Sequence, residues 1–98
     1  MPTLVSNILL VAATKAEIPT TVNPKVDVLV TGVGMVATTH ALTKQLSKKQ
    51  YDLVVDVGIA GSFNPAIKIG DVVQVAADRL VELGVEDNGK FVPAHEMD

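Results

Sequence analysis

Cysteine is missing from this sequence of 98 residues. Its absence excludes disulfide bonds and thiol chemistry, and it is typical of proteins that work in a reducing compartment. It also removes the thiolate ligands of most structural zinc sites. The two histidines, His40 and His95, do not form a His-x-x-x-His pair, so we predict no metal site.

An excess of positive charge is missing as well. Eight lysines and arginines stand against eleven aspartates and glutamates, which gives a net charge of −3. The densest basic cluster, Lys44, Lys48 and Lys49, has the spacing of one exposed helix face. We therefore expect no nucleic-acid partner.

Long hydrophobic runs are also absent. A membrane-spanning helix needs about 20 consecutive apolar residues, and the apolar stretch at residues 8–13 is much shorter. That stretch also lacks the basic leader and the cleavage pattern of a signal peptide. We therefore expect a soluble, cytoplasmic protein without a membrane partner.

The sequence does contain enough apolar residues for a packed core. Hydrophobic residues make up 48% of the chain and charged residues 19%. This balance is typical of a folded domain and not of a disordered chain. The length allows one small domain at most.

Several apolar runs have the length and composition of buried β-strands. The first three lie at residues 7–13, 26–31 and 51–57, and the second is mostly β-branched. Continuous apolar runs are typical of strands in a parallel sheet, where both faces are covered. The composition also predicts a fourth strand at residues 72–76.

The pattern changes to a helical one over residues 35–48, between the second and third runs. Ala37, Ala41, Leu42 and Leu46 mark its apolar side, and lysines gather at its C-terminal end, where they suit the helix dipole. A strand–helix–strand unit of this kind predicts a crossover between parallel strands.

The C-terminal part of the chain carries weaker signals. A fifth extended segment is predicted to begin near Arg79 or Leu80. From Gly84 onward the composition is polar, and Asn88-Gly89 predicts a tight turn.

A Gly-x-Gly-x-x-Ala sequence, with Gly32, Gly34 and Ala37, lies between the second strand and the helix. Its context is that of a dinucleotide-binding turn, but a tight strand-to-helix turn explains it as well. The acidic residue that a dinucleotide site requires would be Asp56, which lies inside an apolar run. Because an unpaired buried carboxylate is costly, we expect Asp56 to have a partner, a raised pKa or an exposed position.

A second glycine turn, Gly58-Ile-Ala-Gly61-Ser-Phe, follows the third strand. Ligands in open α/β sheets bind beyond the C-terminal ends of strands, although a bulge or close backbone packing explains the same residues. Glu17 lies beyond the end of the first strand. A carboxylate there can take a proton from water or bind a sugar hydroxyl, but taken alone it is typical of a solvated loop.

Four segments, taken in order, resemble the nucleosidases of the purine nucleoside phosphorylase superfamily. With Glu82-Leu-Gly84 they are most similar to the futalosine hydrolases, enzymes of a menaquinone pathway. The segments are residues 10–18 (Leu-Val-Ala-Ala-Thr-Lys-Ala-Glu-Ile), 30–37 (Val-Thr-Gly-Val-Gly-Met-Val-Ala), 51–63 (Tyr-Asp-Leu-Val-Val-Asp-Val-Gly-Ile-Ala-Gly-Ser-Phe) and 69–73 (Ile-Gly-Asp-Val-Val).

The resemblance implies an α/β fold, namely the N-terminal part of a three-layer phosphorylase/hydrolase-like fold with a mostly parallel sheet. It implies that Glu17 is the catalytic residue and activates the water that attacks C1′ of a ribosyl group. It places Thr14 beside the ribose, and Ala60 and Gly61 near the purine base. No metal or organic cofactor is implied. The expected partners are a purine nucleoside substrate and further copies of the chain in a homo-oligomer.

By the same resemblance, residues 1–98 are expected to form a truncated domain that lacks the C-terminal half of the family fold. That half supplies the aspartate that protonates the leaving purine. Because water activation and leaving-group protonation act in one transition state, we expect little or no turnover from this chain alone.

Two other functions stay open. A nucleotide-binding module without catalysis would use Gly32, Gly34 and Ala37. An inactive fragment would associate through an exposed sheet edge. Within the nucleosidase interpretation, the identity of the nucleoside and the choice between hydrolysis and phosphorolysis also stay open.

Overall fold

The computed structural model describes residues 6–97 of the chain. The chain divides into two compact units, with the boundary between Gly61 and Ser62. Each unit has its own secondary structure.

The first unit is a three-stranded parallel sheet with one α-helix. The strands are β1 (Ile8–Ala12), β2 (Val26–Val30) and β3 (Leu53–Asp56), and the helix α1 spans Met35–Lys48. A 3₁₀ turn, η1 (Lys15–Glu17), follows β1. The strand order is β2-β1-β3, with β1 paired in parallel to both neighbours. The predicted α/β class and parallel sheet are confirmed, as are the three strands and the helix.

The central strand supplies the core of this unit. Leu9, Val11 and Ala12 are almost completely removed from solvent, because β1 has a strand on each side. Leu9 and Val11 share a face of the sheet with the β2 residues Asp27 and Leu29, which are their partners in the register. The helix packs against β2, so the buried alternate residues of β1 mark the face that α1 covers.

The predicted apolar side of α1 is largely the side that packs inward. Ala37, Ala41 and Leu42 are half-buried, whereas Leu46 is 44% exposed near the C-terminal end of the helix. Within residues 6–97, no helix is long and apolar enough to cross a membrane.

The opposite face of the sheet is more open within the first unit. Val28, Val30 and Leu53, which lie on that face by the register, each keep more than 40% of their surface exposed. Apolar surface of this kind is a common feature of proteins that associate. The homo-oligomer expected from the sequence stays a prediction.

A polar cluster lies near the N-terminal end of β2. The Asp27 carboxylate oxygen Oδ2 accepts a hydrogen bond from the Tyr51 hydroxyl at 2.7 Å and one from Lys49 Nζ at 2.9 Å. Gln45, in the last turns of α1, donates to the Tyr51 hydroxyl at 2.7 Å. These bonds tie the segment after α1 to the start of β2. The Tyr51 bond, and after it the Lys49 ammonium, lowers the pKa of Asp27 below its ordinary value of 3.8.

The depressed pKa of Asp27 predicts a pH effect on folding stability. A carboxyl group with a lower pKa in the folded state contributes stability above its unfolded pKa and loses it as the pH falls through the folded pKa. We expect wild type to be more stable than Asp27→Asn at about pH 6 and the difference to disappear at about pH 2. Urea unfolding of both proteins across that range measures it. A difference that does not change with pH would contradict an ionic origin.

The second unit contains a β-hairpin. Its strands are β4 (Gly84–Asp87) and β5 (Lys90–Pro93), and a 3₁₀ turn, η2 (Ala94–Glu96), follows. Asn88 and Gly89 form the two-residue loop, both with positive φ, 51° and 76°. Two positive φ angles are those of the type I′ turn that matches the twist of a hairpin. The turn predicted at Asn88-Gly89 is therefore confirmed.

Two predictions for this unit are wrong. Residues 72–76 do not form a strand, and Val72 and Val75 are 97% and 72% exposed. A strand needs a neighbour for its N–H and C=O groups, and β-branched composition alone does not supply one. The predicted fifth strand does not begin near Arg79 or Leu80 but at Gly84, after a turn at residues 81–82.

Candidate functional site

Two loops of the first unit leave the sheet side by side. β1 and β3 are neighbouring parallel strands, and the Val57 N–H continues their ladder by donating to the Val11 carbonyl at 2.9 Å. The loop with η1 begins after β1, and the second glycine turn, residues 58–61, begins after β3. Because the C-terminal ends of parallel strands lie at the same edge, the topology places the predicted catalytic glutamate and the predicted base-binding turn together.

The Glu17 carboxylate contacts the glycine turn directly. Its Oε2 atom accepts a hydrogen bond from the Ile59 backbone N–H at 3.1 Å, across 42 residues of sequence. Its Oε1 atom accepts one from the Thr14 hydroxyl at 2.8 Å. Both bonds use the carboxylate as an acceptor, and the side chain is half-buried. Glu17 is therefore a fixed group at the sheet edge and not a freely solvated loop residue.

Glycine at position 58 allows this approach. A Cβ atom built on Gly58 would lie 2.8 Å from Glu17 Oε2 and 3.9 Å from its Cδ. By contrast, a Cβ built on Gly61 would meet no atom within 4 Å. The turn is closely packed at its start, where the carboxylate lies, and open at its end.

The other three residues predicted to contact substrate lie in the glycine turn or in the loop after β1. Ala60 and Gly61 are exposed and follow Ile59 directly. Thr14 is half-buried and precedes η1, with its hydroxyl on Glu17. The structure therefore brings together Glu17, Thr14 and the start of the glycine turn, within a single compact unit.

A third loop, after β2, completes this edge of the sheet. The Thr31 and Gly32 N–H groups donate to the carbonyls of Ala12 and Ala13 at 2.9 and 3.1 Å. The buried Thr31 hydroxyl donates to the Gly32 carbonyl at 2.8 Å and lies 3.3 Å from the Thr38 hydroxyl oxygen. These bonds fix the strand-to-helix turn against the end of β1.

The glycine pair of this third loop has a structural explanation. Gly32 and Gly34 have φ angles of 88° and 100°, in the region that disfavours side chains. A Cβ on Gly32 would also lie 3.3 Å from the Ala37 Cβ. The turn thus favours glycine at positions 32 and 34 without any ligand, and Ala37 packs close to the first of them. Asp56 is the acidic residue that a dinucleotide site would use. It was predicted to have a partner, a raised pKa or an exposed position, and it is exposed.

The sequence did not indicate the Ile59 N–H group or the steric role of Gly58. A backbone donor leaves no trace in a side-chain pattern, and the pattern marks Gly58 only as one member of a small-residue turn. Within residues 6–97, no three His, Asp or Glu side chains come together as a candidate metal site.

The chain matches a known protein family over most of its length. The profile described as the Phosphorylase superfamily matches residues 12–95, which is most of the chain. The chain belongs to the phosphorylase superfamily. Comparisons with curated proteins and with solved structures gave no match.

Membership of the phosphorylase superfamily assigns the chain to a nucleoside-processing family. Enzymes of this superfamily generally transfer or hydrolyse glycosyl groups. The matched residues begin at Ala12, the last residue of β1, and include the loop of Glu17 and the glycine turns after β2 and β3. All three loops at this edge of the sheet therefore lie within residues 12–95, the part of the chain that matches the phosphorylase superfamily.

Proposed function

We propose that this chain carries the water-activating part of a nucleosidase site that cleaves the N-glycosidic bond of futalosine or a related purine nucleoside, in menaquinone biosynthesis. One observation carries the proposal: the Glu17 carboxylate bonds the start of the glycine turn after β3, and the end of the same turn, at Gly61, is open. A cytoplasmic location fits the cysteine-free sequence.

The reaction needs a base and an attacking water. Glu17 takes a proton from water, the water oxygen forms a bond to C1′, and the bond from C1′ to the purine nitrogen breaks. The purine leaves with the electron pair of that bond and takes a proton from an acid, which by the family resemblance is an aspartate of the C-terminal half of the fold. Positive charge develops on the ribosyl group in this step, and an anionic Glu17 nearby stabilises it. General-base catalysis of this kind contributes about 10²- to 10⁴-fold to the rate.

Thr14 can serve both the carboxylate and the ribose. Its hydroxyl donates its one proton to Glu17, and a hydroxyl also has two lone pairs that accept hydrogen bonds. Thr14 Oγ1 is therefore free to accept from a ribose hydroxyl. Ala60 and Gly61 present backbone groups and no bulky side chain, which suits the face of a purine base.

The assay of this proposal measures free base. The 98-residue chain and a form extended to family length are each incubated with futalosine and with methylthioadenosine, and released hypoxanthine or adenine is quantified by chromatography. We expect hypoxanthine from futalosine with the extended form and little or no release from the 98-residue chain. Absence of base release from the extended form with both nucleosides would refute the proposal.

A further inference from the structure

Glycine is required at position 58 because a neighbouring side chain lies close to it, and not because of its own backbone conformation. Its φ angle is outside the positive region that favours glycine, in which Gly32, Gly34, Gly70 and Gly89 lie. Alanine would therefore fit the backbone at position 58. The obstacle to alanine is Glu17 Oε2, which would lie 2.8 Å from the added Cβ.

The atom that would be displaced is the end of a flexible side chain. The backbone around Gly58 leaves the added methyl group free of other contacts within 4 Å, apart from the same carboxyl group. A methyl group at position 58 should therefore move the carboxylate away from the Ile59 N–H while the sheet remains folded.

Thr14 departs from the usual role of its sequence pattern. Thr14-x-x-Glu17 has the spacing of a capping box, in which the threonine side chain bonds a backbone N–H of the following helix. Here the residue makes no such bond. Its hydroxyl donates to Glu17 Oε1 instead, so the side chain orients a carboxylate and does not cap a helix.

We propose that Gly58 and Thr14 are positioning residues that hold the Glu17 carboxylate on the Ile59 N–H group. The inference rests on the function proposed above. Thr14 fixes one oxygen and the Ile59 N–H fixes the other, and Gly58 leaves the space in which the second bond forms. Two further acceptor positions of the carboxylate remain for a water molecule.

The first test uses the 98-residue chain and needs no activity. Amide hydrogen exchange at Ile59 is followed by NMR and corrected for the intrinsic rate of each sequence. We expect exchange at Ile59 to be about tenfold faster in Gly58→Ala and in Glu17→Ala than in wild type, because both changes remove the acceptor of its N–H. Gly61→Ala is the matched control, since its methyl group meets no atom. Unchanged exchange in Gly58→Ala would overturn the inference.

The second test is kinetic and uses the form extended to family length. A misplaced catalytic group costs turnover more than binding. We expect Gly58→Ala and Thr14→Val each to lower kcat by at least about tenfold. KM should change by less than about threefold in Gly58→Ala, whereas Thr14→Val also loses the proposed ribose contact and should raise KM. Thr14→Ser keeps the hydroxyl and should restore most of kcat. A raised KM with unchanged kcat in Thr14→Val, or no rescue by serine, would overturn the positioning role of Thr14.

Glu17→Gln separates the two proposals. If Glu17→Gln loses activity while Gly58→Ala and Thr14→Val keep it, the positioning inference fails and the nucleosidase proposal stands. If Glu17→Gln keeps full activity, the general-base role proposed for Glu17 fails, and the exchange measurement at Ile59 still decides whether Gly58 makes room for the carboxylate.

Discussion

Replacing Glu17 with glutamine is expected to lower base release from futalosine by about 10²- to 10⁴-fold in the form extended to family length. Glutamine has nearly the same shape, and its amide oxygen can still accept the bond from the Ile59 N–H while its amide NH2 donates to the Thr14 hydroxyl oxygen. It cannot take a proton from water at neutral pH. The loss therefore falls on the chemical step, and we expect it in kcat and in kcat/KM.

Glu86→Gln is the matched control for this experiment. Glu86 is an exposed carboxylate on β4, in the second unit, and the substitution removes the same charge. Its kcat should equal that of wild type. Equal activities of Glu17→Gln and wild type, with the control also active, would mean that another group activates the water.

The helix and the parallel strands were predictable because their signals are local. A helical period begins at Met35, after a glycine pair, and continues to Lys48. These bounds match those of α1, Met35–Lys48. The runs at residues 7–13 and 26–31 gave β1 and β2 to within one residue at each end. The order β2-β1-β3 was not predictable from these runs, since nothing within a strand specifies its neighbours.

Two segments of the second unit also differ in whether their own sequence is enough to determine their structure. Asn88-Gly89 determines a hairpin turn through its own backbone preferences, and the hairpin is present. Residues 72–76 have the β-branched composition of a strand but have no strand structure. Their composition predicts a preference, whereas a strand also requires a partner that the local sequence does not contain.

The site was predictable in its residues but not in its contacts. The resemblance to nucleosidases singled out Glu17 and the turn at residues 58–61, and the structure brings them within hydrogen-bonding distance. The donor on that turn is a backbone N–H group, which every residue except proline carries. Only the register of β1 and β3 decides that the N–H of Ile59 is the one that meets Glu17.

Leu9→Ala is expected to have the largest effect on folding stability. Leu9 is the largest side chain of the described residues that is fully buried, and it belongs to the central strand β1. Replacing a buried leucine with alanine removes its burial and leaves a cavity, which costs about 2–5 kcal/mol. Small domains have a total stability of about 5–15 kcal/mol. We expect a loss of about 3 kcal/mol in urea unfolding of the 98-residue chain, with an unchanged dependence on urea.

Leu53→Ala is the control of the same chemistry on the neighbouring strand. Leu53 pairs with Ile8 across the ladder, but 45% of its surface is already exposed. Its removal should cost about 1 kcal/mol, because less apolar surface is returned to water. Equal losses for the two variants would contradict a core centred on β1.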